Sequence, residues 1–360
     1  MRKNTILHKT LARALSLKRP HKGVGEEVML DWLVDNLPAG TSHGFDTVGN
    51  LHVDTRNATT NRTLFVAHVD TVHHEDGPNK IRKTRNKWYA HGSQLGADDG
   101  AGVAVLMQLI NRGVPAYYVF TVGEECGGIG AKYLAKHYEP LLNEFDRAIA
   151  FDRRGIDSVI THQGWGRCCS DAFAESLSEQ LMDKSFDRLM YLPDDTGVYT
   201  DTAEFVDIIP ECTNISVGYQ FEHSTREELD VGHLVTLANA VCHIDWDGLP
   251  TTRDPSAVEE ATSVSSSFGT GWQLYDDVHG TDWNREYLKD ALYDAMVGRP
   301  GELLDMMCES VYPEDPKLAL RYINTSKMTD EVLESMLKAA NTYDSDTVLC
   351  TLFDHIYTGA

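Results

Sequence analysis

The chain has 360 residues, 42% of them apolar, and a formal net charge of −23. That length supports one large core with an appendage, or two domains, and the composition excludes a disordered class. No apolar run reaches the roughly 18 residues of a transmembrane helix, and so acidic a chain lacks the basic face that nucleic acids require.

The N-terminus carries no acidic residue before Glu26, and it lacks the apolar core and cleavage site of a secretory signal. Ile6, Leu7, Leu11, Leu15 and Leu17 recur at roughly helical spacing, which predicts an amphipathic helix in preference to a presequence. The seven cysteines are odd in number and include no CxxC pair; Cys168 and Cys169 are adjacent. Free thiols in a reducing, cytoplasmic compartment are expected, and Asn-x-Ser/Thr matches such as Asn57-Ala58-Thr59 are then chance.

From residue 26 to 250 short apolar runs alternate with helical stretches. The expected strands are Leu64–His68, Tyr117–Val122, Ala148–Phe151, Ser158–Ile160 and Asn214–Gly218; the expected helices are Gly100–Asn111, Ile129–Leu141, Ser170–Leu181 and Val231–Ile244. This alternation predicts an α/β fold with a mixed, mostly parallel central sheet flanked by helices.

Around residues 251–270 Ser and Thr dominate and periodicity disappears, as in a linker or loose loop. Residues 271–360 read as a small acidic helical subdomain, with Thr329 a helix cap and Val332, Leu333, Met336 and Leu337 an apolar face. Residues 251–360 hold 20 acidic and 8 basic side chains, a net −12. The expected division is therefore a domain over 1–250, a linker over 251–270 and the helical region over 271–360.

Five segments put a metal-capable side chain at a strand end or in the turn after it, where open α/β sheets gather their ligands. In VAHVDTV, His68 and Asp70 are two residues apart and point the same way on extended chain. Asp70 is placed to orient the imidazole. In LGADDGAGVAVL, Asp98 lies in a Gly-rich turn before an apolar helix, where Asp98 or Asp99 would equally serve as a cap. In FTVGEECGG, the adjacent Glu124 and Glu125 repel unless a cation neutralises them. Asp152 ends the apolar run AIAF, with an ion pair to Arg153 or Arg154 as the plain alternative. His223 follows a strand and short loop in VGYQFEHSTREELD. Singly, each of these segments has an ordinary structural reading.

Their order, His-x-Asp, Asp, Glu-Glu, Asp, His, resembles the co-catalytic zinc exopeptidases. These include the bacterial leucyl aminopeptidase and glutamate carboxypeptidase II family and the related peptidase T and aminoacylase family. The resemblance covers roughly residues 20–250. FDTVGNLHV is similar to their early Gly-Asn hairpin, and TDTAEF around Asp201 to their segment before the last ligand.

The resemblance implies two zinc ions, with cobalt or manganese also tolerated by a nitrogen and oxygen donor set. One would be held by His68 and Asp152, the other by Glu125 and His223, with Asp98 bridging. It implies Glu124 as general base toward an activated water shared by the ions, and Asp70 as the orienter of His68. Tyr199 and Tyr219 are candidates for stabilising an oxyanion, or for packing.

Only 71 positions separate Asp152 from His223, too few for the inserted domain of peptidase T and aminoacylase relatives. That spacing favours the leucyl aminopeptidase layout, although HVDTV is worded more like peptidase T. Asp at position 152 resembles the aminopeptidases. The expected function is thus an aminopeptidase acting on a peptide or aminoacyl substrate, without nucleic-acid or membrane partners and compatible with a homo-oligomer. The alternatives are a dipeptidase, carboxypeptidase or N-acyl amino acid deacylase of the same superfamily, a one-zinc acyl transfer, and a metal-free binding scaffold.

Overall fold

The computed structural model describes residues 6–257, apart from 59, 85, 164 and 165. These residues lie in a compact unit, Met1–Val258. The expected linker beyond residue 257 and the helical region 271–360 lie outside the described residues.

The centre is an eight-stranded sheet. In chain order its strands are β1 (Ser42–Phe45), β2 (Leu51–Asp54), β3 (Thr63–His68), β4 (Tyr117–Thr121), β5 (Arg147–Arg153), β6 (Ser158–Ile160), β7 (Leu192–Asp194) and β8 (Glu211–Ser216). They lie in the order β7-β6-β8-β5-β3-β4-β2-β1. The inner run β8-β5-β3-β4 is parallel, as is β6-β7, and the other pairings are antiparallel. The sheet is mixed and mostly parallel, as expected. FDTVGNLHV forms the β1–β2 hairpin, with Phe45 opposite Leu51.

Period-two alternation explains why the inner strands are apolar without interruption. Phe65, Ala67, Tyr118, Phe120, Ile149 and Phe151 enter one core. Their neighbours Leu64, Val66, Val119 and Ala148 enter the other. The first core is covered by helices α1 (Ile6–Leu15), α2 (Val24–Asp35), α3 (Ala97–Arg112), α5 (Asp171–Lys184) and α6 (Val231–Ala240). The second is covered by α4 (Ile129–His137) and the turn Asp201–Phe205. Each fully buried Leu or Phe contributes about 1.5–3 kcal/mol.

Helix α3 is buried on every side from Ala97 to Ile110, so its apolar residues show no single stripe. The N-terminal amphipathic helix is α1, which packs on α3 through Leu7, Leu11, Ala14 and Leu15. The helix expected over Ile129–Leu141 breaks into Ile129–His137 and Glu139–Leu142. Pro140 is the reason, because it lacks the N–H that would bond the Lys136 carbonyl and its ring crowds that turn. Among the described residues no helix is long and apolar enough to cross a membrane. The described cysteines, Cys126, Cys168, Cys169, Cys212 and Cys242, are free thiols.

Candidate metal centre

His68 is the last residue of β3, and its side chain is almost fully buried. Its Nε2 faces the site, and its Nδ1 faces Asp70, 3.2 Å from the backbone carbonyl and 3.5 Å from Oδ1. The Asp70 carboxylate also accepts the backbone N–H groups of Glu124 (3.1 Å) and Glu125 (3.2 Å). One buried side chain therefore contacts the histidine and fixes the loop after β4. Burial pushes its carboxyl up, but the hydrogen bond and charge of His68 and the two amides outweigh burial and hold it low.

The two aspartates before α3 have separate tasks. Asp99 turns into the helix and accepts the Gly102 N–H at 2.9 Å, the capping role the sequence leaves open. A side chain at position 102 would collide with that carboxylate, which explains the glycine. Asp98 turns outward, with Oδ1 3.0 Å from His68 Nε2 and Oδ2 3.1 Å from His223 Nε2.

Asp152, near the end of β5, is held by four hydrogen bonds with three residues. Asn214 on β8 accepts its N–H at 2.8 Å and donates to its carbonyl at 2.7 Å. Thr200 donates to Oδ2 at 2.7 Å, and the buried Tyr219 hydroxyl donates to Oδ1 at 3.0 Å. Asp152 Oδ1 then stands 3.7 Å from His68 Nε2. Tyr219 is thus committed to a carboxylate, and Tyr199 donates to Glu204 at 2.9 Å. Asp201 sits beside them, fully buried, hydrogen-bonded to Thr121 Oγ1 through one oxygen.

His223 comes from an exposed loop in which Phe221 and His223 both adopt positive φ, 59° each. Its half-exposed ring lies 3.1 Å from Glu125 Oε1. Glu125 Oε1 is nonetheless buried with no hydrogen-bond partner. Glu124 Oε2 lies 4.0 Å from His68 Nε2.

Two groups of three ligand atoms therefore meet: His68, Asp98 and Asp152, and Asp98, Glu125 and His223, each within 4.8 Å. Asp98 is common to both. A third grouping, His68, Glu124 and Glu125, overlaps them.

The electrostatics demand compensation. Burial, followed by the charges of Asp152, Asp201 and Glu125, pushes Glu124 up to about 10 despite the opposing pull of His68. Burial and Asp98 push Asp152 up to about 7. Burial and Asp98 also raise Glu125. Asp98 goes the other way, because hydrogen bonds from His223 and His68 outweigh its burial. Burial would depress His68, but the charge of Asp152 and its carboxylate hydrogen bonds raise it well above its ordinary value. His223 is raised by Asp98 and Glu125 against burial, and solvent at its exposed edge tempers that pull. A buried orphan carboxylate oxygen, a surplus of carboxylates and two imidazoles form a donor set that fits divalent cations of the zinc type.

The sequence pattern of peptidase family M20/M25/M40 matches residues 64–245, just over half of the chain and all the residues of this centre. The chain belongs to peptidase family M20/M25/M40. It is accordingly a hydrolytic peptidase within the co-catalytic zinc exopeptidase superfamily that the sequence resembles. Among solved structures, aminopeptidase PepT from Bacillus cereus is 14% identical, covers 66% of this chain and 96% of its own, and has a TM-score of 0.55. A tripeptidase from Staphylococcus aureus is 16% identical over 66% of this chain and 96% of its own, with a TM-score of 0.51. Both share the α/β fold. No curated protein matches the chain by sequence.

All seven residues expected in the site, His68, Asp70, Asp98, Glu124, Glu125, Asp152 and His223, converge in this M20 fold. Between Asp152 and His223 the chain spends its residues on β6, α5, β7 and β8, completing the sheet, as the short spacing implied. Sequence reasoning missed the parts played by Thr200 and Asn214, which hold Asp152. Each is a polar residue whose type alone signals no role, so only its three-dimensional partner identifies it.

Proposed function

We propose that this M20-family chain is a metal-dependent exopeptidase, and specifically an aminopeptidase that removes N-terminal residues from peptides. One observation carries the reading: two three-ligand groups share Asp98. His68 and Asp152 would hold one cation and Glu125 and His223 the other, with Asp98 between them; zinc fits this donor set, and cobalt and manganese are compatible. When bound, such ions polarise a carbonyl and make water acidic.

The protein's own residues do the rest. Glu124 projects from the loop latched by Asp70. Its carboxylate takes a proton from the attacking water and returns it to the nitrogen of the leaving amine. Its raised proton affinity belongs to the uncompensated cluster, and neutralising its carboxylate neighbours lowers it toward the range of a base at neutral pH. Asp70 keeps His68 oriented through Nδ1, while Thr200 and Tyr219 keep Asp152 oriented. The half-exposed His223 marks the open side, from which a peptide end can approach. The acidic surroundings suit a free α-amine, and Asp at position 152 accords with the aminopeptidase reading.

A second reading, a dipeptidase or N-acyl amino acid deacylase, is favoured by Arg154. Its exposed guanidinium lies 3.2 Å from Glu222, next to His223, where a cation would suit a substrate carboxylate. A substrate panel separates the two. Metal-loaded protein is expected to hydrolyse aminoacyl anilides and to leave N-acyl amino acids and C-terminal glutamates intact. Hydrolysis of N-blocked substrates with free amino termini ignored would overturn the aminopeptidase assignment.

A further inference from the structure

Leu95, Gly96, Ala97 and Asp98 present four consecutive backbone N–H groups to one side chain. Glu227 Oε2 accepts from Leu95 at 2.8 Å and Gly96 at 2.9 Å. Its Oε1 accepts from Ala97 at 2.6 Å and Asp98 at 3.2 Å. Gly96 makes this possible, because its φ of 72° curls the segment so that successive amides converge. The result is an anion-binding nest at the head of α3, filled by the chain's own carboxylate. Glu227 is 2% exposed.

Arg19 closes the arrangement from behind. It is fully buried, and its Nη2 donates to the Gly96 carbonyl at 3.1 Å while its Nε donates to the Val69 carbonyl at 2.6 Å. A third donor reaches the Ala14 carbonyl. The Gly96 peptide is therefore held by a carboxylate at its N–H and by a guanidinium at its C=O. Glu227 lies four residues after His223, its nest ends at Asp98, and Val69 adjoins His68. Two buried charged side chains thus tie together the three loops that present His68, Asp98 and His223.

The geometry points to Glu227, backed by Arg19, as a positioning residue that sets the bridging carboxylate of Asp98 against the two histidines. The inference rests on the proposed two-cation centre. The hydrogen bonds of Glu227 go to the backbone N–H groups of residues 95–98, and it acts through that backbone. A charged acceptor is required, because four donors converge on two oxygens. Glutamine in its place would turn an N–H₂ group toward two of those donors and displace the segment that ends in Asp98.

The test uses the full-length chain, with zinc binding followed by competition against a chromophoric chelator and cobalt binding by visible absorption. Glu227→Gln is expected to weaken metal binding about 10–100-fold, as loss of an outer hydrogen-bond partner does, and to alter the cobalt spectrum. Glu227→Asp keeps the charge on a shorter arm and is expected to restore part of the affinity. It also carries the test if the glutamine variant does not fold. A merely structural role would lower the melting temperature of the metal-free protein and leave affinity and spectrum unchanged. Unchanged affinity and spectrum in a folded variant, with normal uptake by the wild type, overturns this inference alone. A wild type that takes up no ion overturns the metal centre with it.

Discussion

Asp70→Asn is the sharpest perturbation of the centre, because it is isosteric and removes only charge and one acceptor. The side chain is fully buried, and it latches Glu124 and Glu125 through amides at 3.1 and 3.2 Å. In the variant one oxygen becomes a donor facing a donor, and a hydrogen bond to a charged acceptor, worth about 1.5–3 kcal/mol, is lost. The surviving bond falls from charged to neutral and loses roughly half its strength. Together these amount to about 3 kcal/mol against the native loop, or roughly 100-fold if expressed in turnover. The contact at 3.5 Å from His68 Nδ1 loses its charge as well, so metal affinity should fall about 10–100-fold. Steady-state kinetics across a zinc titration separates the two effects. The expected outcome is a kcat about 100-fold down that excess metal does not restore, with zinc half-saturation shifted upward. If kcat and half-saturation both match the wild type, Asp70 neither latches the base loop nor orients His68.

Two further outcomes follow from the same geometry. Glu124→Gln should retain its metal complement by elemental analysis yet lose about 10²–10⁴-fold in kcat, as removal of a general base does; retained turnover would refute that role. Cation uptake should release protons. His68 and His223 are raised by their carboxylate neighbours, and Glu124 is pushed up to about 10, so the cation-free centre favours the protonated form of all three. The imidazoles must be neutral to act as ligands and Glu124 ionised to act as a base, so binding should release protons from all three groups and strengthen as pH rises. Calorimetry in buffers of different ionisation enthalpy reads the number directly, and a value of zero would contradict the assigned ligands.

How much of this was legible beforehand depends on what each residue does. β3, β4 and β5 are buried on both faces, so their apolar runs stand out and the metal-capable residues at their ends stand out with them. β8 begins at Glu211, three residues before the run that announces it. Glu211 is fully buried but satisfied by Ser170, Thr252 and Arg253, so its charge hides a core position. Short edge strands such as β7, whose first two residues are exposed, have no alternation long enough to read. Asp98 and Asp99 look alike in sequence, and only the opposite directions of their side chains tell the cap from the ligand. Arg19 and Glu227 were out of reach for a different reason. Apart from the Ala14 carbonyl, their partners are backbone groups far away in the chain, and backbone carries no sequence signal.

The central claim is that two cations share Asp98. Anomalous scattering at the zinc edge, from crystals of the zinc-loaded protein, tests it most directly. The account predicts two peaks roughly 3.5–4 Å apart, one against His68 and Asp152, the other against Glu125 and His223, with Asp98 touching both. A single peak, or peaks that leave Asp98 uncoordinated, would contradict it.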